Sequence, residues 1–79
     1  MAKDETPLIA IKPGNKVTVK RIHGGLNMKI RLNEMGITCN SEINVVRNDG
    51  WGPVIISLSM TRLAIGRQMA NKILVEKKN

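Results

Sequence analysis

The sequence predicts a small, mostly β fold, a β-barrel with short helices inserted, and three observations predict it. Short apolar stretches recur along the 79 residues, separated by clusters of turn residues. Several of these stretches alternate apolar with polar residues, the two-residue period of a strand that buries one face. Five or six such strands in so short a chain favour closure, because a small sheet has nothing else with which to cover its edges. Apolar residues make up 42% of the chain but include one Trp and no Phe or Tyr, so the core has to be built from Ile, Val, Leu, Met and Ala. The length confines residues 1–79 to one domain, with residues 8–75 expected as its ordered part.

Taken in order, the polar first six residues and the closing Glu76-Lys77-Lys78-Asn79 are expected to fray. The apolar run Leu8-Ile9-Ala10-Ile11 stops at Lys12-Pro13-Gly14-Asn15, where Pro at the second and Gly at the third position suit a type II turn. Residues 16–22 alternate as a strand, and Gly24-Gly25 ends it. In residues 26–35, Leu26, Met28, Ile30 and Leu32 also alternate, yet Leu, Met, Lys, Arg and Glu are good helix formers and only Ile30 is β-branched. Gly36 stands where a helix C-terminus takes a left-handed residue, so a helix of roughly three turns is expected. On that helix Met28, Leu32 and Met35 form one stripe, and Leu26 with Ile30 form another on nearly the opposite side.

Residues 42–48 and 53–59 read as two strands joined by the hairpin loop Asp49-Gly50-Trp51-Gly52. Residues 61–65 suit a further short strand, residues 66–72 have helical composition, and residues 73–75 make a closing strand. Trp51, flanked by two glycines at the hairpin tip, has two readings: an exposed anchor for a partner, or a ring folded back over the barrel end.

The chemistry these residues permit is narrow. His23 is the only histidine, with no acid or nucleophile near it in sequence, and the six carboxylates are scattered singly, so no catalytic constellation is present and the chain reads as a non-enzyme. Neither a G-x-x-x-x-G-K-[ST] nor a G-x-G-x-x-G phosphate motif occurs. His23, Cys39, Met60 and Met69 match no metal-ligand spacing, and neither a metal nor another cofactor is expected. The single cysteine excludes a disulfide framework, fits a reducing cytosol and reads as an inert loop thiol. No apolar run approaches the roughly 20 residues of a membrane span. The opening Met1-Ala2-Lys3-Asp4-Glu5-Thr6-Pro7 has acids where a signal peptide has bases, so a free-standing cytoplasmic protein is expected.

The charge is 13 − 6 = +7. Phosphates would be attracted to it, but the bases are spread evenly along the chain, and one Trp cannot build the stacking platform on which small barrels hold single strands. Nucleic acid is therefore disfavoured, and a basic surface that meets an acidic partner is the simpler reading.

The order of pieces resembles one family. The turn at Lys12-Pro13-Gly14, the strand through Val17 and Val19 to Ile22, Gly24-Gly25 and Arg31-Leu32-Asn33-Glu34-Met35-Gly36-Ile37 come first. They are followed by Glu42-Ile43-Asn44-Val45-Val46-Arg47, Gly52-Pro53-Val54, Thr61-Arg62-Leu63-Ala64-Ile65-Gly66, Ala70 and Ile73-Leu74-Val75. Together, over residues 8–75, they resemble the FeoA family of bacterial ferrous iron transport. The resemblance implies an SH3-like β-barrel with inserted helices and supports the helix at residues 26–35. It also implies a cytosolic, non-catalytic, cofactor-free accessory of the membrane transporter FeoB, whose cytosolic part carries a GTP-binding domain. Where the family's turn after R-L-x-x-M-G-I usually contains Pro-Gly, this chain has Cys39-Asn40, and Asn tolerates the left-handed conformation.

Two alternatives stay open: a basic barrel that binds nucleic acid, and a regulatory module like the C-terminal domain of DtxR-like metal-dependent repressors, although 79 residues leave no room for a helix-turn-helix domain beside it. If Leu32 and Met35 pack inward, Leu26 and Ile30 face away as an apolar stripe with a basic border. On this reading Leu26, Ile30 and Trp51 supply apolar anchors for the partner, while Lys29, Arg62 and Arg67 steer it electrostatically. Burial of both stripes, between the barrel and the second helix, is the competing packing.

Overall fold

Gly14, at φ +90°, reverses the chain so that its amide donates to the carbonyl of Val45, and the strand that follows runs back beside its neighbour. A computed structural model of the chain describes residues 5–78, so the fraying expected of residues 1–4 and Asn79 lies outside the described residues. The elements are β1 (Thr6–Pro7), a 3-10 turn (Leu8–Ala10), β2 (Lys16–Ile22), α1 (Leu26–Glu34), β3 (Glu42–Arg47), β4 (Val54–Leu58), β5 (Thr61–Ile65), α2 (Arg67–Ala70) and β6 (Ile73–Lys77). All strands lie in one antiparallel sheet of order β1-β6-β2-β3-β4-β5.

The two-residue alternation sends one row of side chains inward along each strand. Val17 and Val19, Ile43 and Val45, Val54 and Ile56, and Ile73 and Val75 are all buried. Leu8 from the 3-10 turn, Leu32 from α1, Ala70 from α2 and Ile11, Ile37 and Ile65 join the same cluster, and Met28, Met35 and Met69 pack against it partly exposed. Flexible thioethers here fill gaps that a core without rings leaves open. Two bulges bend the sheet around this core. Lys20 is the extra residue of β2 against β6, and Val46 the extra residue of β3 against β4.

The structure corrects several sequence-based expectations. Thr6, placed among the fraying ends, pairs with Val75, and β6 continues through Glu76 and Lys77, which pair with Thr18 and Val17. Ladder pairing with β6 holds Thr6 and pairing with β2 holds Glu76 and Lys77, and no local pattern announces them. α2 is four residues long instead of seven. The expected fold class holds, mostly β with short inserted helices, and among the described residues β1 and β5 are the two ends of the ladder. Neither edge is inviting: β1 has two residues, and β5 carries the exposed Arg62.

Candidate functional site

Helix α1 is positioned by its two ends and by Leu32. At the start, Gly24 has φ +147°, a conformation that side chains rarely adopt, and a Cβ there would lie 2.6 Å from the Met28 sulfur and make that thioether move aside. At the end, Gly36 takes φ +89°. The amides of Gly36 and Ile37 donate to the carbonyls of Asn33 and Leu32, both at 2.9 Å, which closes the last turn.

The loop beyond it is tied to β2. Asn40 adopts φ +75°, its amide donates to Val19 O, and Val19 N donates to Ser41 O at 2.8 Å. Thr38 N donates to Ser41 Oγ at 3.0 Å. Asn40 thus takes the left-handed position in a turn that lacks Pro-Gly, and backbone bonds on both sides hold it.

With Leu32 fully buried, helix geometry turns Leu26 and Ile30 outward. Leu26 is 73% exposed and Ile30 46%, so the competing packing, with both stripes buried, is not adopted. Together with Lys29 they form one wall of an open groove of about 460 Å³. Asn33 of the same helix, Lys20, Arg21 and Ile22 of β2, and residues 37–39 form the rest. The groove is therefore apolar through Leu26, Ile30, Ile22 and Ile37 and edged by Lys20, Arg21 and Lys29. Arg21 is partly neutralised by Glu5, 3.5 Å away.

The other residues expected at the site lie elsewhere. Trp51 is 84% exposed at the tip of the β3–β4 loop and does not fold back over the barrel; it lines neither wall of the groove. Its loop is braced from behind. Asn48 Nδ2 donates to Ile9 O at 2.7 Å and Ile11 O at 2.9 Å, and Arg67 Nη1 donates to Asn48 Oδ1 at 3.1 Å and to Gly52 O at 3.4 Å. Arg47 Nε pairs with Asp49 at 2.9 Å on the same loop. Arg67 is thus half-buried and engaged in holding the Trp51 loop. Arg62 is exposed on β5, opposite Ser57, outside the groove. Of the six residues, the structure brings Leu26, Lys29 and Ile30 together, and places Trp51 and Arg67 in a second cluster.

Sequence reasoning missed Ile22 and Ile37 as groove walls, and Asn48 as the hub of the brace. Ile22 could have been found as the last apolar residue of a strand that ends beside the helix. Asn48 carries no such signal, because its partners are 39, 37 and 19 residues away. Away from the groove, Glu42 is held below the ordinary glutamate range, first by the hydrogen bond from Lys78 and then by the charge of Lys78, with desolvation opposing them and the charge of Lys16 adding least. Among the described residues, no three of His, Cys, Asp and Glu come together as a metal site, and no helix is long and apolar enough to cross a membrane. The arrangement can hold a partner by shape, apolar contact and charge.

Comparison with known proteins bears on the family and the fold. Residues 6–77 match the FeoA domain family. An Fe(2+) transport protein A of Methanocaldococcus jannaschii is 47% identical over 70 residues, covering 89% of this chain and 84% of that protein. The crystal structure of a FeoA iron uptake regulatory protein superposes with a TM-score of 0.89 at 38% identity, covering 94% of this chain and 99% of the other. A manganese-dependent transcriptional repressor also reaches a TM-score of 0.89, at 21% identity, over 99% of this chain but 44% of its own; this likeness concerns the fold alone.

Proposed function

This chain belongs to the FeoA family of ferrous iron transport, a family of non-catalytic accessory proteins, and from that premise we propose that it works as a docking module on the cytosolic GTP-binding part of a FeoB-type transporter. The observation that carries this reading is the outward stripe of Leu26 and Ile30 beside Lys29 on an apolar groove. Two large aliphatic side chains kept in water gain from burial roughly 25 cal/mol per Å² of apolar surface covered, and the basic edge of Lys20, Arg21 and Lys29 speeds the encounter with an acidic face. The groove is small, which suits a weak and reversible contact. Trp51, held out by Arg67 and Asn48, is a second anchor for the same partner, and Arg62 contributes to steering from β5.

The test is an NMR titration of the isotopically labelled protein with the GTP-binding domain of its transporter, at salt where exposed charges are screened beyond roughly 8 Å. Amide shifts centred on residues 22, 26, 30 and 37, abolished by Leu26→Asp, are expected. Absence of shifts there would overturn the reading. If a single-stranded oligonucleotide instead gave shifts that collapse as salt is raised, the function would move to a nucleic-acid-binding barrel. Likeness to the repressor at 21% identity favours no regulatory role.

A further inference from the structure

Helix α1 has a second groove on its other side. At about 100° per residue, Met28, Arg31 and Met35 lie across the helix from Leu26 and Ile30. With Ala64 of β5, Met69 of α2 and Lys72 beyond it, they line an open groove of about 660 Å³. Met28, Met35 and Met69 are partly buried against the core, so its floor is three thioether side chains. Arg31 and Lys72 are exposed at its rim, Arg67 adds a third base, and no carboxylate among the described residues lines it.

Two properties of this groove select its occupant. Three bases without an acid favour a polyanion, and in a chain of net charge +7 the field around the groove adds to that preference. The floor, however, is aliphatic and adaptable. Methionine surfaces repack around varied apolar side chains, whereas bases of a nucleic acid need flat aromatic platforms, and no aromatic side chain lines the groove. We propose that this groove binds an acidic, extended segment of a partner protein, with one aliphatic side chain seated among Met28, Met35 and Met69 and flanking carboxylates paired with Arg31 and Lys72. The site is separate from the Leu26–Ile30 face, lies across α1 from it, and leaves that face free for a second contact.

The methionines themselves supply the test. The methyl carbons of Met28, Met35 and Met69 report on the floor, and Met60, 97% exposed at the β4–β5 turn and outside the groove, serves as internal reference. The protein, labelled at its methionine methyls, is titrated with the peptide Glu-Glu-Leu-Glu-Glu, with Glu-Glu-Ser-Glu-Glu, with Lys-Lys-Leu-Lys-Lys and with a mixed-sequence single-stranded oligodeoxynucleotide.

Saturable shifts of Met28, Met35 and Met69 with the first peptide, without movement of Met60, are expected, and the serine and lysine peptides should bind more weakly. Reversing both rim charges, Arg31→Glu with Lys72→Glu, should weaken the first peptide by about tenfold, the order expected for two exposed ion pairs turned repulsive. Both positions are exposed, and the milder pair Arg31→Gln with Lys72→Gln should weaken it less while leaving the amide spectrum in place. Leu26→Asp should leave this binding unchanged, which separates failure here from failure of the docking face. The proposal is overturned if Met60 shifts with the others, if the serine peptide binds as well as the leucine peptide, if the oligonucleotide shifts the floor more strongly than the peptide, or if nothing shifts.

Discussion

Replacing Asn48 by alanine removes a side chain that ties the 3-10 turn, the Trp51 loop and α2 to each other. Its amide nitrogen donates to the carbonyls of Ile9 and Ile11 at 2.7 and 2.9 Å, and its oxygen accepts from Arg67 at 3.1 Å. The site is partly buried, so the two carbonyls are only partly returned to water when the donor goes. At about 1 kcal/mol for each of the two neutral bonds, and slightly more for the one that involves a charged donor, Asn48→Ala should cost about 3 kcal/mol. A domain of 79 residues is stable by about 4–12 kcal/mol, so this is a large share. The midpoint of thermal unfolding should fall by about 10–20 °C. Urea unfolding followed by far-ultraviolet circular dichroism is the assay, because Trp51 is exposed in the folded state and its fluorescence changes little. Asn48→Asp keeps an acceptor for Arg67 but turns a carboxylate toward two carbonyl oxygens, and should be no more stable than the alanine variant. A loss below about 0.5 kcal/mol at unchanged m-value, or full rescue by aspartate, would refute the brace.

Three further outcomes follow from the packing and the charges. Leu32→Ala empties the position where α1 enters the core, where Leu32 is fully buried, and should cost about 2–5 kcal/mol in the same urea assay, with the low end expected only if α1 sinks into the space. Gly36→Ala places a Cβ at φ +89° and 3.1 Å from Leu58 Cδ2, and should cost about 1–2 kcal/mol; an unchanged midpoint would mean that the turn has an alternative route. Glu42 has a lower pKa folded than unfolded because of Lys78 and then Lys16. Its contribution is therefore full above the ordinary glutamate range and is lost as the pH falls through the lowered folded value. Glu42→Gln should flatten that part of the acid limb of the midpoint-against-pH curve, most visibly at low salt, and an identical limb would show that the exposed pair contributes nothing.

Much of this architecture is legible locally. The strands at residues 16–22 and 42–47 show themselves because a half-buried strand needs alternation, and Val17, Val19, Ile43 and Val45 provide it, whereas residues 54–58 and 61–65 are legible as short apolar-rich runs between turn residues. Helix α1 is legible for a different reason: alternation at residues 26–32 points to a strand, but the residue types and Gly36 outweigh it. The Leu26, Lys29 and Ile30 part of the groove follows from helix geometry once Leu32 is assigned to the core. Charge alone was a poorer guide. Arg62 and Arg67 read alike in sequence, yet one lies open on an edge strand and the other is fastened to Asn48 and Gly52.

What the sequence by itself determined is whatever depends on neighbours within one or two turns or strand pairs: strand periods, the helix and its glycine stop, an aromatic-free core, and an apolar stripe opposite Leu32. Tertiary structure alone decided that Thr6 and Lys77 belong to strands, that β1 and β5 are the ends of the ladder among the described residues, that Trp51 stands clear of the barrel, and that α1 separates two basic-edged grooves. The reason is physical. Backbone pairing and the Asn48 bonds join residues tens of positions apart, and a contact that exists only after the chain has closed on itself leaves no period or composition by which either end announces the other.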